Sequence, residues 1–298
     1  MWLSLALLSA MLLGLYDVSK KHSLKDNAVI PILWCNTVIC SLLLIPLMLL
    51  SEAGKLSPGS LLFVPHGTLE MHLKVMLKAL IVLSSWICGY AGIKHLPITL
   101  VGPINATRPV MVLLGGTMIM GERLNLYQWI GVSLAVISFF MLSRSGRREG
   151  IDFRHDKWLY LTILSNVLGA ISGLYDKFLM GQMSNMFVQP WCNIYQSVLM
   201  GLVLLVWLRG EGAGNSIRWK WSIPLISVFL TMADFAYFYA LTDPDSMISV
   251  VSMIRRSSVL VSFACGALLF HEKNLKSKAL DLILVLIGLI FLIIGSQG

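Results

Sequence analysis

In this chain of 298 residues, 57% are hydrophobic and only 13% charged, with a mean hydropathy of +0.79, so polar side chains are too few to cover a water-facing surface. Soluble domains carry roughly 25% charged residues; this composition excludes one and puts much of the surface against lipid. The net charge of +8 does not point to nucleic acid, because the basic residues lie between apolar runs, where they set membrane orientation.

A helix needs about 20 mainly apolar residues to cross hydrocarbon. In chain order ten stretches qualify: 2–20, 29–50, 73–94, 97–120, 126–143, 157–178, 187–208, 222–242, 246–270 and 277–296. The first, within "MWLSLALLSAMLLGLYDVSKK", lacks basic residues ahead of its apolar run and lacks a small-residue cleavage pattern, so it is expected as a span rather than a signal peptide. The segment "SPGSLLFVPHGTLEM" (57–71) is apolar but broken by Pro and Gly, and is expected as a short interfacial piece. Pro97 and Pro244 mark tight turns between spans 3 and 4 and between spans 8 and 9. The five cysteines, Cys35, Cys40, Cys88, Cys192 and Cys265, sit inside apolar runs. Their odd number and unpaired spacing argue against a disulfide framework or a zinc site, and packing is their expected role. No cofactor and no metal is implied.

The spans repeat. "GLYD" occurs at 14–17 and 173–176, near the ends of spans 1 and 6, and "WCN" at 34–36 and 191–193, in spans 2 and 7. Tyr90 and Pro97 bracket the end of span 3 as Tyr237 and Pro244 bracket the end of span 8. "GERLNL" (121–126) follows span 4 and "HEKNLK" (271–276) follows span 9. Four matches in one order predict an all-α membrane protein of ten transmembrane helices, built as two five-helix repeats over 1–145 and 155–298 with a linker at 146–154. Five is odd, so the second repeat enters from the opposite side. Inverted repeats of this kind are typical of secondary transporters, with substrate bound near the midplane between the halves.

The stretch "HLPITLVGPINATRPVMVLLGGTMIMGERLNLYQWIGVSLAVISFFML" resembles the EamA repeat of the drug/metabolite transporter superfamily. The resemblance is carried by Pro109, Val110, Gly115, Gly116, Gly121, Glu122, Gln128 and Gly131. The second repeat keeps Gly266 and Glu272 but has Ser in place of the Pro-Val proline. Membership implies transport of a small metabolite and leaves the substrate open. On the residues alone, glycines 115, 116 and 121 permit close helix approach. Glu122 and Glu272 are expected at the interface, either capping and pairing with Arg123 and Lys273 or gating.

Charge inside the membrane marks the candidate site. Of 23 Lys and Arg, three lie midway along spans: Arg108 in span 4, and Arg255 and Arg256 in span 9. Each costs about 2.5–3.5 kcal/mol on insertion scales, so together they cost roughly 8–10 kcal/mol. Asp234 is the acid at comparable depth; Asp17 and Asp176 lie nearer span ends, with Lys20, Lys21 and Lys177 close by. Three readings stay open: the arginines pair with these acids or with backbone carbonyls and fix helix packing; some of them bind an anionic group, for which the planar guanidinium fork suits carboxylate or phosphate; or the helices are shifted and the arginines lie shallower. The Arg255–Arg256 pair resembles the adjacent basic residues in the ninth helix of the organic-phosphate branch of the superfamily. Asn105 shares a face with Arg108, and Gln189, Asn193 and Gln196 form one helical stripe. Asn36 joins them as a candidate polar contact, and Trp34, Trp86, Tyr90, Trp191, Tyr195, Tyr237 and Tyr239 are candidate cavity walls. Interhelical hydrogen bonding and an interfacial aromatic belt are the competing roles. Asp234, Asp17 and Asp176 are the candidates for proton coupling.

Loops after the odd-numbered spans hold 15 Lys and Arg against 5 on the other side. The positive-inside rule then places both termini outside the cytoplasm, whereas many relatives have them inside. No nucleotide-binding loop is present, so ATP drive is not expected; the inverted repeat and the resemblance imply a secondary carrier, not an enzyme. It would sit in a cell membrane, bacterial inner membrane in the first instance, as monomer or homodimer. It would take a small-molecule substrate, with the lipid bilayer and no nucleic acid as its other partner. A flippase for an amphipathic or lipid-linked substrate is the alternative. An intramembrane aspartyl protease is the remote one, since "GLYD" recurs as a symmetry mate and no Gly-x-Gly-Asp motif accompanies it.

Overall fold

The computed structural model describes residues 2–108, 110–112, 125–127, 129–131, 133–134, 137, 156–180, 182–210, 217–241, 254–255, 257–269, 279–280, 282–284, 286–288, 290–291 and 294. All regular structure among them is helical. The principal helices are α1 (Trp2–Leu24), α2 (Val29–Glu52), α3 (Leu69–His95), α4 (Ile98–Ala106), α5 (Lys157–Met180), α6 (Asn185–Arg209), α7 (Ser222–Leu241) and α8 (Ser258–Leu269). Among the described residues, α2, α3, α6 and the Lys157–Asp176 part of α5 are each long and apolar enough to cross a membrane. Residues 53–68 form turns and extended chain, without an additional span.

Local chemistry starts and stops these helices. Thr68 caps α3 by accepting from the Met71 amide at 3.4 Å, and Ser184 caps α6 by accepting from Met186 at 3.2 Å. Glu70 in the first turn of α3 and Lys94 and His95 in its last turn oppose the helix dipole favourably. Leucines and other large apolar side chains such as Leu7, Met11, Leu42, Leu49 and Val206 point outward, as lipid requires. Helices therefore associate through close packing and interhelical hydrogen bonds rather than by hiding apolar surface from water. On the α3–α5 seam, Ser85 donates to the Ser165 carbonyl at 2.8 Å. A Cβ on Gly89 would fall 2.8 Å from Ser165 Oγ, and one on Gly92 would overlap Thr162 Oγ1. Glycine at these two positions is what lets the backbones meet.

The packing has a two-fold pattern. α1 packs on α7 and α8, just as α5 packs on α3 and α4; α2 packs on α6 and α4 on α8. Exchanging the repeats maps each pairing onto another or onto itself. One apolar core runs through both halves and includes Tyr16, Ile32, Tyr90, Leu159, Met200 and Ile226.

Directions follow from cross-helix contacts. Tyr16 donates to Tyr90, and Lys21 donates to the carbonyls of Ile93 and Leu96, so α1 and α3 run the same way. Along α3 and α5, Lys74 meets Gln182 while Ser85 meets Ser165, so these two run oppositely. Helix α5 is thus antiparallel to its mate α1. The second repeat is inverted.

Spans 4 and 9 depart from the uninterrupted helices expected. Helix α4 ends at Ala106; Thr107 makes a turn, with its amide and hydroxyl both donating to the Ile104 carbonyl at 3.1 and 2.7 Å, and helix resumes beyond it. Ser257 repeats the device, donating to the Ile254 carbonyl from amide and hydroxyl at 2.9 and 2.6 Å, just before α8. The physical reason is local: a side-chain hydroxyl competes for a backbone acceptor, and proline at 109 supplies no N–H for a continuing ladder. These breaks are 150 residues apart, the same offset as "GERLNL" and "HEKNLK".

Candidate functional site

Among the described residues, three acids lie within the bundle, and each holds a base. Asp17 accepts from Lys20 at 2.7 Å, one turn along α1. Asp176 on α5 pairs with Lys78 of α3, across the repeat boundary rather than with a neighbour on its own helix. Asp234 on α7 pairs with Arg255, whose guanidinium also lies over the Tyr237 ring, 4.3 Å from its centroid. Lys20 is likewise enclosed by aromatic faces, 4.3 Å from the Tyr16 centroid and 5.0 Å from that of Tyr90. Hydrocarbon makes an unpaired charge expensive, and these pairs are how the fold carries them.

Arg108 is arranged differently. Among the described residues no carboxylate lies within ion-pair distance of it. Its Nε donates to the neutral Asn166 Oδ1 at 3.2 Å, and Asn166 Nδ2 donates to the Ile104 carbonyl at 2.9 Å. Asp17, Tyr16 and Arg255 act on it electrostatically from farther off. Its depth follows from α3: Lys78 and Tyr90 are twelve residues apart, about 18 Å of helix, and Ser85, level with Ser165, falls between them. Asn166 is the next residue of α5, so Arg108 meets the second repeat near mid-depth.

The remaining sequence candidates fall into separate groups. Asn36 is fully buried; its Oδ1 accepts from Ser227 Oγ at 2.9 Å, while its Nδ2 has no partner among the described residues. Arg255 Nε is also without a partner there. Trp34 lies against Gly201 of α6, and Trp86 packs on the main core. Trp191 joins His72, Phe187 and Tyr195 in an aromatic cluster, with His72 Nδ1 and Tyr195 Oη 2.7 Å apart. Tyr239 stacks on the outward-facing Phe235. Gln196 is buried on α6, and Gln189, Asn193 and, on α4, Asn105 are half-buried. Arg256 lies outside the described residues, as do Pro109, Gly115, Gly116, Gly121, Glu122, Gln128 and Glu272.

Sequence pattern did not single out Lys78, Asn166, Gly169 or His72. The apolar run begins at 73 and by itself puts Lys78 close to a span end; the Thr68 cap starts α3 at Leu69 and puts Lys78 in its third turn. For Asn166 the available signal was an amide in the middle of an apolar span.

Two inverted five-helix repeats, closed around paired charges, define an all-α integral membrane protein as the class. The sequence pattern of the EamA-like transporter family matches residues 1–144 and 156–294, and the chain belongs to that family, whose members are membrane transporters of small molecules rather than enzymes. Among 27 matching solved chains, one crystal structure superposes with a TM-score of 0.61 at 12% identity, over 99% of this chain and 98% of the other. At that identity the likeness establishes the fold. No curated protein matches the sequence.

Proposed function

We propose that this transporter carries a small metabolite bearing an anionic group by alternating access, with Arg108 receiving the anion. One observation carries the reading: among the described residues Lys20, Lys78 and Arg255 each hold an aspartate, whereas Arg108, near mid-depth, holds the neutral amide of Asn166. A guanidinium kept near mid-depth with no carboxylate in ion-pair reach among the described residues is costly, and a substrate anion offsets that cost when it binds. The tightened turns at Thr107 and Ser257, at equivalent places in spans 4 and 9, support the same role, since carriers use irregular helix segments near the midplane to bind substrate groups. In this proposal Asn105, Asn36 and Tyr90 of the first repeat and Trp191, Asn193, Gln196 and Tyr237 of the second flank the path. Asp17, Asp176 and Asp234 are the groups through which a proton would couple. The basic end, with Lys25, Lys94, Arg218 and Lys220, faces the cytoplasm of a bacterial cell.

Uptake and exchange in proteoliposomes test this with pyruvate, glutamate, inorganic phosphate, putrescine and leucine. At least one anion is transported, and Arg108→Ala reduces its uptake tenfold or more while the variant still elutes as a folded, monodisperse species. Transport of putrescine in preference to every anion, unaltered in Arg108→Ala, would refute the assignment.

A further inference from the structure

We infer that Asn166 and Gly169 position the Arg108 guanidinium, so that only its terminal Nη1–Nη2 edge is left to engage an anion. This rests on the reading of Arg108 as the anion receptor. A guanidinium clamps carboxylate or phosphate oxygens either side-on, through Nε and one Nη, or end-on, through both Nη. Here Nε is committed to Asn166 Oδ1 at 3.2 Å. Asn166 is itself held, because its Nδ2 donates to the Ile104 carbonyl at 2.9 Å, the same carbonyl that Thr107 uses to break the helix. Both ends of the amide being occupied, its acceptor cannot swing away without losing a buried hydrogen bond. No acceptor among the described residues engages Nη1 or Nη2.

Gly169 supplies the room. It stands three residues after Asn166, on the same face of α5. A Cβ there would overlap Arg108 Cζ and fall 2.7 Å from both Nε and Nη1. The guanidinium therefore rests on bare backbone of the second repeat while its stem belongs to the first. The obstacle to a methyl at 169 is the far end of a flexible side chain, so alanine displaces the guanidinium without forcing the helices apart. Nothing else within 4 Å of that Cβ is nearer than these three atoms.

The test uses full-length protein in proteoliposomes and whichever of pyruvate, glutamate and inorganic phosphate the parent transports best. Gly169→Ala and Asn166→Ala each raise KM about tenfold and leave maximal velocity within about twofold. Asn166→Asp, which sets a carboxylate against Arg108 Nε, abolishes saturable uptake. In the Arg108→Ala background, Gly169→Ala changes neither residual uptake nor melting temperature, because the space is vacated. A KM equal to the parent's in Gly169→Ala and Asn166→Ala, with Arg108→Ala inactive, overturns the positioning inference alone. So does a fall in melting temperature from Gly169→Ala that is the same with and without Arg108, for that marks plain helix packing. An Arg108→Ala variant as active as the parent, or no transport of any of the three anions, overturns the anion reading and this inference with it.

Discussion

Charged residues in this protein divide by whether a partner is within reach. Lys20 and Lys78 bury long apolar stems and bring their ammonium groups to aspartates, and only about a tenth of each side chain is exposed. Removing one member of such a pair strands the other, which is where most of the energetic penalty lies. Outside the membrane the same chemistry is weaker. Asp26, in the loop between α1 and α2, accepts from Lys220 at 2.8 Å, and that hydrogen bond holds its carboxyl below the ordinary carboxylate value. A lowered folded-state pKa contributes stability above the unfolded pKa, lost as pH falls through the folded value. Asp26→Asn therefore melts slightly below the parent at neutral pH, and the gap closes as pH is lowered through the carboxylate range. The effect is small and shrinks with added salt, since the pair is exposed. Thermal unfolding in detergent from pH 7 to pH 3 measures it; a gap that widens on acidification contradicts the assignment.

At the scale of helices, the α3–α5 seam shows what replaces hydrophobic burial in lipid. Small residues Ser85, Gly89 and Gly92 on α3 meet Thr162 and Ser165 on α5, and one hydroxyl bonds across. Gly92→Ala would put a methyl group on Thr162 Oγ1, with Thr162 Cβ at 3.3 Å. Overpacking of this kind costs about 1–3 kcal/mol. We expect Gly92→Ala to lower the unfolding midpoint and Thr162→Ala, which deletes the clashing oxygen, to restore most of it. Equal losses that add in the double variant would show that the two sites do not share the strain. The expected boundaries of spans 1, 2, 6, 7 and 8 lie close to the helices found, because continuous apolar runs bounded by polar turns locate a span directly. The interruptions at Thr107 and Ser257 escaped that method. A hydroxyl that competes for a backbone carbonyl leaves hydropathy unchanged.

For the whole molecule, inversion sets which loops share a face. His95 stacks on Trp158 at 3.5 Å, and Lys220 meets Asp26, so the C-terminal ends of α1 and α3 lie beside the N-terminal ends of α5 and α7. Lys25 and Arg218 emerge at that end, His66 and Gln182 at the other, and all four are exposed. Single cysteines placed at 25 and 218 in a cysteine-free background are expected to react together with a membrane-impermeant maleimide in sealed, right-side-out vesicles or to be protected together. Positions 66 and 182 show the opposite pattern. Labelling of 25 with 66 from one face would contradict the inverted arrangement.

Composition, the odd number of spans per repeat and four ordered motif pairs were enough, without coordinates, to determine a membrane protein of inverted repeats, since these depend on hydropathy and parity along the chain. The interior residues Arg108, Arg255, Asp17, Asp176 and Asp234 were legible for a similar reason: charge within an apolar run stands out. Pairing was not legible. That Asp176 takes Lys78 from the other repeat, and that Arg108 has Asn166 instead of an acid, depends on which helix faces lie opposite each other near mid-depth. Hydropathy in one dimension does not encode that rotation. It is decided by the fit of small residues along the seams, where a glycine at 92 or 169 lets two backbones, or a backbone and a guanidinium, occupy the same few ångströms.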